Sequence, residues 1–286
     1  MHLLQVKNQA FGIATNISGA NIPKGVQGVL GMAGQGLSRF HAKPFWQNLP
    51  LNQSLFSIYI RGANHNNHTI PFDGVLSLGN MDHDMFVGPL NYLPTVSANS
   101  WSVNFSGINV SNHIIKVATH TKALIDTGTV LIGGPRDAIE DFYRQFDGAT
   151  EIKSEPGFFS FPCSSTPVVY LAFGNTQYKL KPADLILSEA KYEPDNQDER
   201  PDSDDFKCVG SVFATDDGDP WMIGGSFLNN VYTVFNNEDP RQIGFAPLNS
   251  RSYKSEVIPV GLPSSATSLL PTHWIFVCLI AVVQLF

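Results

Sequence analysis

Lys122-Ala123-Leu124-Ile125-Asp126-Thr127-Gly128-Thr129 lies near the middle of a 286-residue chain, and its reading decides the fold. The run Ala123-Leu124-Ile125 is uninterrupted and apolar, the pattern of a short buried strand. Asp126 ends that strand on a tight turn. Gly128 lets the backbone approach more closely than a Cβ would permit. The hydroxyls of Thr127 and Thr129 can donate hydrogen bonds to a nearby carboxylate or backbone group. An aspartate held this way is a candidate catalytic carboxylate, with Thr127, Gly128 and Thr129 as its support. The tetrad alone is weak: chance gives Asp-Thr-Gly in about one chain in twenty of this length. A polar β-turn capped by an aspartate reads the same way.

Outward from the tetrad, most of the chain has β character. Pro135-Arg-Asp-Ala-Ile-Glu-Asp-Phe-Tyr-Arg-Gln-Phe is the clearest helix, with Ala138, Ile139, Phe142, Tyr143 and Phe146 on one face. Upstream, Leu55-Phe-Ser-Ile-Tyr-Ile and Gly74-Val-Leu-Ser-Leu-Gly read as strands. Gly28-Val-Leu-Gly-Met-Ala-Gly reads as a short strand entering a turn. Lys43–Leu49 could start a helix with Pro44 in its first turn. Trp101–Val110 alternates apolar and polar residues, which predicts a half-buried strand pair. Downstream, strands are expected at 168–173, 177–180, 186–187, 221–225 and 231–235. Residues 189–206 are acidic and almost without apolar content, the composition of a solvated loop. A calcium site there would lack the Gly and the terminal Glu of an EF-hand loop.

Composition narrows the class. Apolar residues are 43% of the chain, enough for a sizeable core, while charged residues are only 15% against an average of about 25%. The net charge is −7 with no basic stripe, which argues against nucleic acid. Asn16, Asn52, Asn67, Asn104 and Asn109 each head an Asn-X-Ser/Thr triplet and are glycosylation candidates. Together they favour the secretory pathway, with an extracellular, cell-surface or vacuolar destination. Met1-His-Leu-Leu-Gln-Val-Lys does not have the form of a signal peptide, so the expectation is that the true N-terminus lies upstream. Of the cysteines, Cys278 falls in an apolar tail, and Cys163 and Cys208 leave one disulfide open. His65, His68 and His83 lack ligand spacing, so neither a metal nor a cofactor is expected.

Taken together, the motifs resemble the pepsin-like aspartic peptidases of eukaryotic, fungal type. Leu124-Ile-Asp-Thr-Gly-Thr-Val-Leu-Ile-Gly-Gly-Pro is similar to that family's second catalytic loop. Met222-Ile-Gly-Gly-Ser-Phe-Leu-Asn-Asn-Val-Tyr-Thr-Val-Phe and Gln242-Ile-Gly-Phe-Ala-Pro resemble the end of its C-terminal lobe. There a hydrophobic-hydrophobic-Gly element threads beside the catalytic loop. Gly28-Val-Leu-Gly-Met-Ala resembles the same element of the first lobe. Phe161-Pro-Cys163 with Cys208 resembles the second lobe's disulfide, free core thiols being the alternative. The resemblance runs from about Phe11 to Leu248 and implies an all-β, bilobal fold with the N-terminal lobe incomplete. The divisions expected are residues 1–92 as a first-lobe remnant, 93–250 as the catalytic second lobe, and 251–286 as linker and apolar tail.

The resemblance implies an aspartic-type endopeptidase acting on polypeptides, with Asp126 as its catalytic residue. The family uses two Asp-Thr-Gly loops, and this sequence holds one. The first Asp and the flap are absent from it, so the chain alone is expected to be inactive. Val130 stands where a small hydroxyl residue is usual, Gly133 where Thr is frequent, Gly225 where Asp is frequent, and Gln27 where Asp is often seen. A non-catalytic binding protein on the same fold is the alternative function. A monomer is expected; a symmetric dimer contributing two copies of Asp126 would need a self-complementary face that residues 1–92 occupy. The apolar tail after Leu269 follows Ser264-Ser265-Ala266, which resembles a GPI-attachment signal, with a short membrane helix as the alternative.

Overall fold

The structure, a computed structural model, describes residues 5–13, 28–61, 73–115, 117–118, 120–190, 207–216 and 218–249. Asn16, Gln27, His65, Asn67, His68, the acidic stretch from residue 191 and the tail from residue 251 lie outside the described residues.

In chain order the strands are β1 (Leu55–Arg61), β2 (Asp73–Leu78), β3 (Asn91–Pro94), β4 (Ser102–Asn104), β5 (Gly107–Val110) and β6 (His113–Ile115). Next come β7 (Lys122–Ile125), β8 (Ile132–Pro135), the helix α1 (Arg136–Tyr143), β9 (Thr150–Glu151), β10 (Phe159–Pro162), β11 (Val169–Phe173) and β12 (Thr176–Lys179). The last are β13 (Ile186–Ala190), β14 (Lys207–Gly210), β15 (Val212–Thr215), β16 (Trp221–Ile223), the short helix α2 (Gly225–Leu228), β17 (Val231–Asn236) and β18 (Gln242–Pro247). The fold is all-β and pepsin-like.

Among the described residues the strands form four sheets, ordered β2-β1-β17-β18-β3, β13-β14-β10-β9, β12-β11-β5-β6 and β15-β8-β16-β7-β4. The first is antiparallel throughout and joins residues 55–94 to residues 231–247. One face of it packs Phe56 on Phe235, ring centroids 4.7 Å apart, with Trp46 and Trp101 edge-on or tilted against them. The other face carries a smaller apolar cluster of Leu55, Tyr232 and Val234 beneath Met81, Met85, Phe86 and Tyr92.

The helix expected from Pro135 begins one residue later, with Pro135 as its N-cap and the last residue of β8. Its apolar stripe is buried as the spacing predicts: Ala138, Ile139, Phe142 and Tyr143 lie inside, with Phe146 just beyond the last turn. Tyr143 stacks on Phe159 of β10, and Phe146 is tilted against Phe161 of the same strand.

Three expectations change. Trp101–Val110 alternates as read, but its halves do not pair: β4 joins β7 while β5 joins β6 and β11. A period of two reports which face is buried and carries no information on which strand lies alongside. Gly28–Gly34 forms no ladder strand among the described residues. Its polar backbone is used otherwise: Trp101 Nε1 donates to Met32 O at 2.7 Å, and Gly34 N donates to Asn99 O at 2.7 Å. The expected helix at Lys43–Leu49 is a single 3₁₀ turn, Phe45–Asn48, behind Pro44.

Candidate active site

Asp126 is placed by the mixed sheet. β7 runs parallel to β16, with Ile125 beside Ile223, and β16 runs antiparallel to β8. One face of this sheet carries Trp221, Ile223, Ala123, Ile125 and Ile132, all at most 1% exposed. The other carries the row Phe213, Gly133, Met222, Leu124 and Ser102. The chain leaves the sheet at Asp126, whose own N–H still donates to Ile223 O at 3.0 Å. Ile125 N donates to Trp101 O at 2.9 Å, so the strand is anchored up to the residue before the carboxylate.

Asp126 is 6% exposed, and its carboxylate has two donors. Gly128 N–H donates to Oδ1 at 2.9 Å, and the Thr129 hydroxyl donates to Oδ2 at 2.6 Å. The turn closes with Thr129 N donating to Asp126 O at 3.3 Å. Burial raises the pKa of Asp126 above the ordinary carboxylate value. The Thr129 and Gly128 donors favour the ionised form and offset part of that rise. Burial thus favours the protonated form of Asp126 and its two donors favour the ionised form, so packing and hydrogen bonding pull the carboxylate in opposite directions.

The Trp221–Gly225 element threads beside this loop, as the resemblance implied. Gly224 N donates to Leu131 O, Gly225 N to Thr129 O and Ser226 N to Val130 O, at 2.7 to 3.0 Å. The Ser226 hydroxyl adds a 3.0 Å bond to Val130 O. Val130 projects half-exposed from a backbone held in this way. Gly133 leaves room for its neighbours: a Cβ there would stand 3.0 Å from both the Phe213 ring and the Thr215 methyl. A Cβ on Gly225 would press on Val130 O at 3.2 Å.

Three contacts of this site have no signal in the sequence. Met222 Sδ lies 3.3 Å from Thr129 Oγ1. Trp101 supplies the carbonyl under Ile125. Arg241 covers the Trp101 ring, its guanidinium carbon 3.7 Å from the centroid. All three join residues from distant parts of the chain.

Cys163 and Cys208 are joined, with Cα atoms 5.0 Å apart, beside the Phe161–Cys208 pairing of β10 with β14. Asn52 and Asn104 are exposed; Asn109, inside β5, has a buried amide oxygen without a hydrogen-bond partner. His83 is exposed and tilted against Phe86. A surface hollow lined by His113, Asp137, Asp141 and Arg144 lies between β6 and α1, away from Asp126. Among the described residues no group of His, Cys, Asp and Glu suits a metal ion, and no helix is long and apolar enough to cross a membrane.

A buried strand ending in Asp-Thr-Gly-Thr, with a Gly-Gly element threaded beside it, defines an aspartic peptidase loop. The sequence model of the family described as eukaryotic aspartyl protease matches residues 1–248, and the chain belongs to that family. It is 28% identical over 264 residues to Major aspartyl peptidase 1 of Cryptococcus neoformans var. grubii, covering 85% of this chain and 52% of that protein. Pepsin A of Sus scrofa is 28% identical over 253 residues, 84% of this chain and 59% of the relative. Cathepsin D of Homo sapiens is 28% identical over 255 residues, 85% and 57% respectively. The chain thus spans little more than half the length of these relatives.

Proposed function

We propose that this chain supplies one carboxylate, Asp126, of the two that an aspartic endopeptidase uses to hydrolyse peptide bonds. The observation that carries the reading is a nearly buried Asp126 gripped by the Gly128 amide and the Thr129 hydroxyl. Two such carboxylates held close share one proton, because like charges at short range cannot both ionise. The ionised member takes a proton from a water molecule, and the protonated member donates a hydrogen bond to the scissile carbonyl. The water oxygen then attacks the carbonyl carbon, and the amine leaves with a proton.

The division follows: residues 1–92 as part of a first lobe, 93–250 as the lobe carrying Asp126, and 251–286 as linker and tail. One carboxylate cannot divide the acid and base roles, so the 286 residues alone are inactive and await a second Asp-Thr-Gly loop. The substrates are polypeptides, the chain is monomeric, and it travels the secretory pathway with N-glycans on exposed sequons. Membrane attachment, where it occurs, runs through the tail, and release by phosphatidylinositol-specific phospholipase C reports a GPI anchor.

The test is cleavage of a denatured protein at acid pH by the purified chain and by Asp126→Ala. Absence of cleavage, with activity appearing when a second Asp-Thr-Gly loop is joined to the chain, is the expected result. Cleavage by the chain alone that disappears in Asp126→Ala would overturn the half-centre reading and keep Asp126 as catalyst. Cleavage that persists in Asp126→Ala removes Asp126 from the mechanism. Stoichiometric peptide binding by the joined protein, without turnover, favours a non-catalytic binding protein.

A further inference from the structure

The Thr129 hydroxyl has one proton, and two acceptors compete for it. Asp126 Oδ2 stands at 2.6 Å and Met222 Sδ at 3.3 Å. A thioether is a weak acceptor, so in the reduced protein the proton goes to the carboxylate. Met222 is only partly buried. It sits on the same sheet face as Leu124 on one side and Gly133 on the other, and Gly133 puts no side chain between it and Phe213. Met222 is thus a partly exposed side chain whose soft sulfur lies one hydrogen bond away from the catalytic candidate.

We propose that Met222 is a sulfoxidation site for hydroperoxides, and that its sulfoxide oxygen takes the Thr129 hydrogen bond away from Asp126. In the oxidation the sulfur lone pair attacks the distal peroxide oxygen. The O–O bond breaks, an S–O bond forms, the sulfur gives up two electrons, and the peroxide departs as an alcohol, or as water from hydrogen peroxide. The product carries a strongly polar oxygen in place of a weak acceptor. Methionine's unbranched side chain has three rotatable bonds, enough to aim that oxygen at a hydroxyl the sulfur already touches. Asp126 then keeps the Gly128 amide alone. A nearly buried carboxylate that loses one of two donors holds its proton to higher pH.

The remaining methionines of the described residues serve as internal controls. Met32 is fully buried. Met81 and Met85 are partly buried in the separate cluster with Tyr92 and Tyr232, on the far face of the first sheet. Their oxidation leaves Asp126 untouched.

The experiment treats the full chain with hydrogen peroxide, locates added oxygen by peptide mass mapping, and follows the Asp126 side-chain carboxyl by ¹³C NMR against pH. Expected is one oxygen on Met222 and an upward shift of the Asp126 midpoint by about one pH unit, the size of losing one hydrogen bond to a charged group. Methionine sulfoxide reductase reverses the shift. Met222→Leu, oxidised at Met81 and Met85, shows none. The proposal is overturned if Met222 stays reduced while Met81 and Met85 oxidise. It is equally overturned by a Met222 sulfoxide with an unmoved Asp126, or by a shift that survives in Met222→Leu. The readout needs no peptidase activity, so its failure leaves the endopeptidase reading standing.

Discussion

Gly224 and Thr129 meet backbone against backbone: the Cβ that Gly224 lacks would stand well inside van der Waals contact distance of Thr129 O, with Leu131 O nearly as close. Gly224 has an ordinary φ of −107°, so its backbone conformation suits other residues. The contact alone demands glycine. Because Thr129 also holds Asp126, any side chain at 224 pushes directly on the candidate catalytic loop. Gly224→Ala is expected to lower stability by about 3 kcal/mol, the upper part of the usual overpacking range, read by urea denaturation.

Thr129 tests the hydrogen bond rather than the packing. Thr129→Val keeps the shape and removes the donor to Asp126 Oδ2. The Asp126 pKa then moves further up, because burial, which raises it, loses part of its opposition. Thr129→Ser retains the hydroxyl and stays near the wild-type titration. Carboxyl NMR against pH separates the two variants, and equal midpoints would exclude the Thr129 proton from the site's electrostatics.

The same shift sets a pH dependence of stability. Asp126 in the folded chain holds its proton more tightly than the unfolded carboxyl, whose pKa is near 3.8. Folding therefore binds protons between the unfolded and folded values. The contribution is fully present below 3.8 and is lost as pH rises through the folded pKa. Asp141 and Glu151 act in the opposite sense. Burial pushes Asp141 up, but the Arg144 and His113 contacts outweigh it; Arg136 and the Gly157 amide hold Glu151 down. Subtracting the stability profile of Asp126→Asn from that of the wild type isolates the Asp126 share. A difference that does not decline with rising pH contradicts the assignment.

Arg241 stabilises the approach to the site. Its Nη1 lies 2.7, 3.0 and 3.2 Å from the carbonyls of Ala98, Ser97 and Ser100, which must share two protons, and its plane covers Trp101. Burial alone, with no counter-ion contributing, pushes its pKa down to about 10. Arg241→Met is expected to cost about 3 kcal/mol from the loss of stacking and of carbonyl donors. Arg241→Lys recovers less than half, since an ammonium lacks the flat fork. Denaturation curves monitored by tryptophan fluorescence measure both.

The disulfide closes a separation of 45 residues. By chain entropy that constraint is worth about 4 kcal/mol, so Cys163→Ser with Cys208→Ser is expected to lose a comparable amount in urea. An unchanged midpoint would show that the unfolded chain is not restrained by it.

Much of the architecture is legible in local pattern. The apolar run before Asp126 makes β7, the spacing of Ala138, Ile139, Phe142 and Tyr143 buries α1 as expected, and the short apolar runs at 55–60, 168–173 and 231–235 become β1, β11 and β17. The failures share one cause. Trp101–Val110 splits between two sheets, and Gly28–Gly34 is held by Trp101 and Asn99 instead of by a ladder. Periodicity along a chain records burial, while the choice of neighbour depends on segments far away in sequence.

Asp126 shows the division most clearly. The residues around it determined that a carboxylate would end a buried strand on a glycine turn, because strand burial and turn chemistry are local. Only the tertiary structure decided how that carboxylate behaves. The parallel pairing with β16 places Met222 against Thr129 and Gly224 against the loop, and Trp101 beneath Ile125 fixes the strand end. Desolvation acts through space, so the burial that raises the Asp126 pKa depends on packing by distant segments, while the two hydrogen bonds that oppose it come from Gly128 and Thr129 in its own turn.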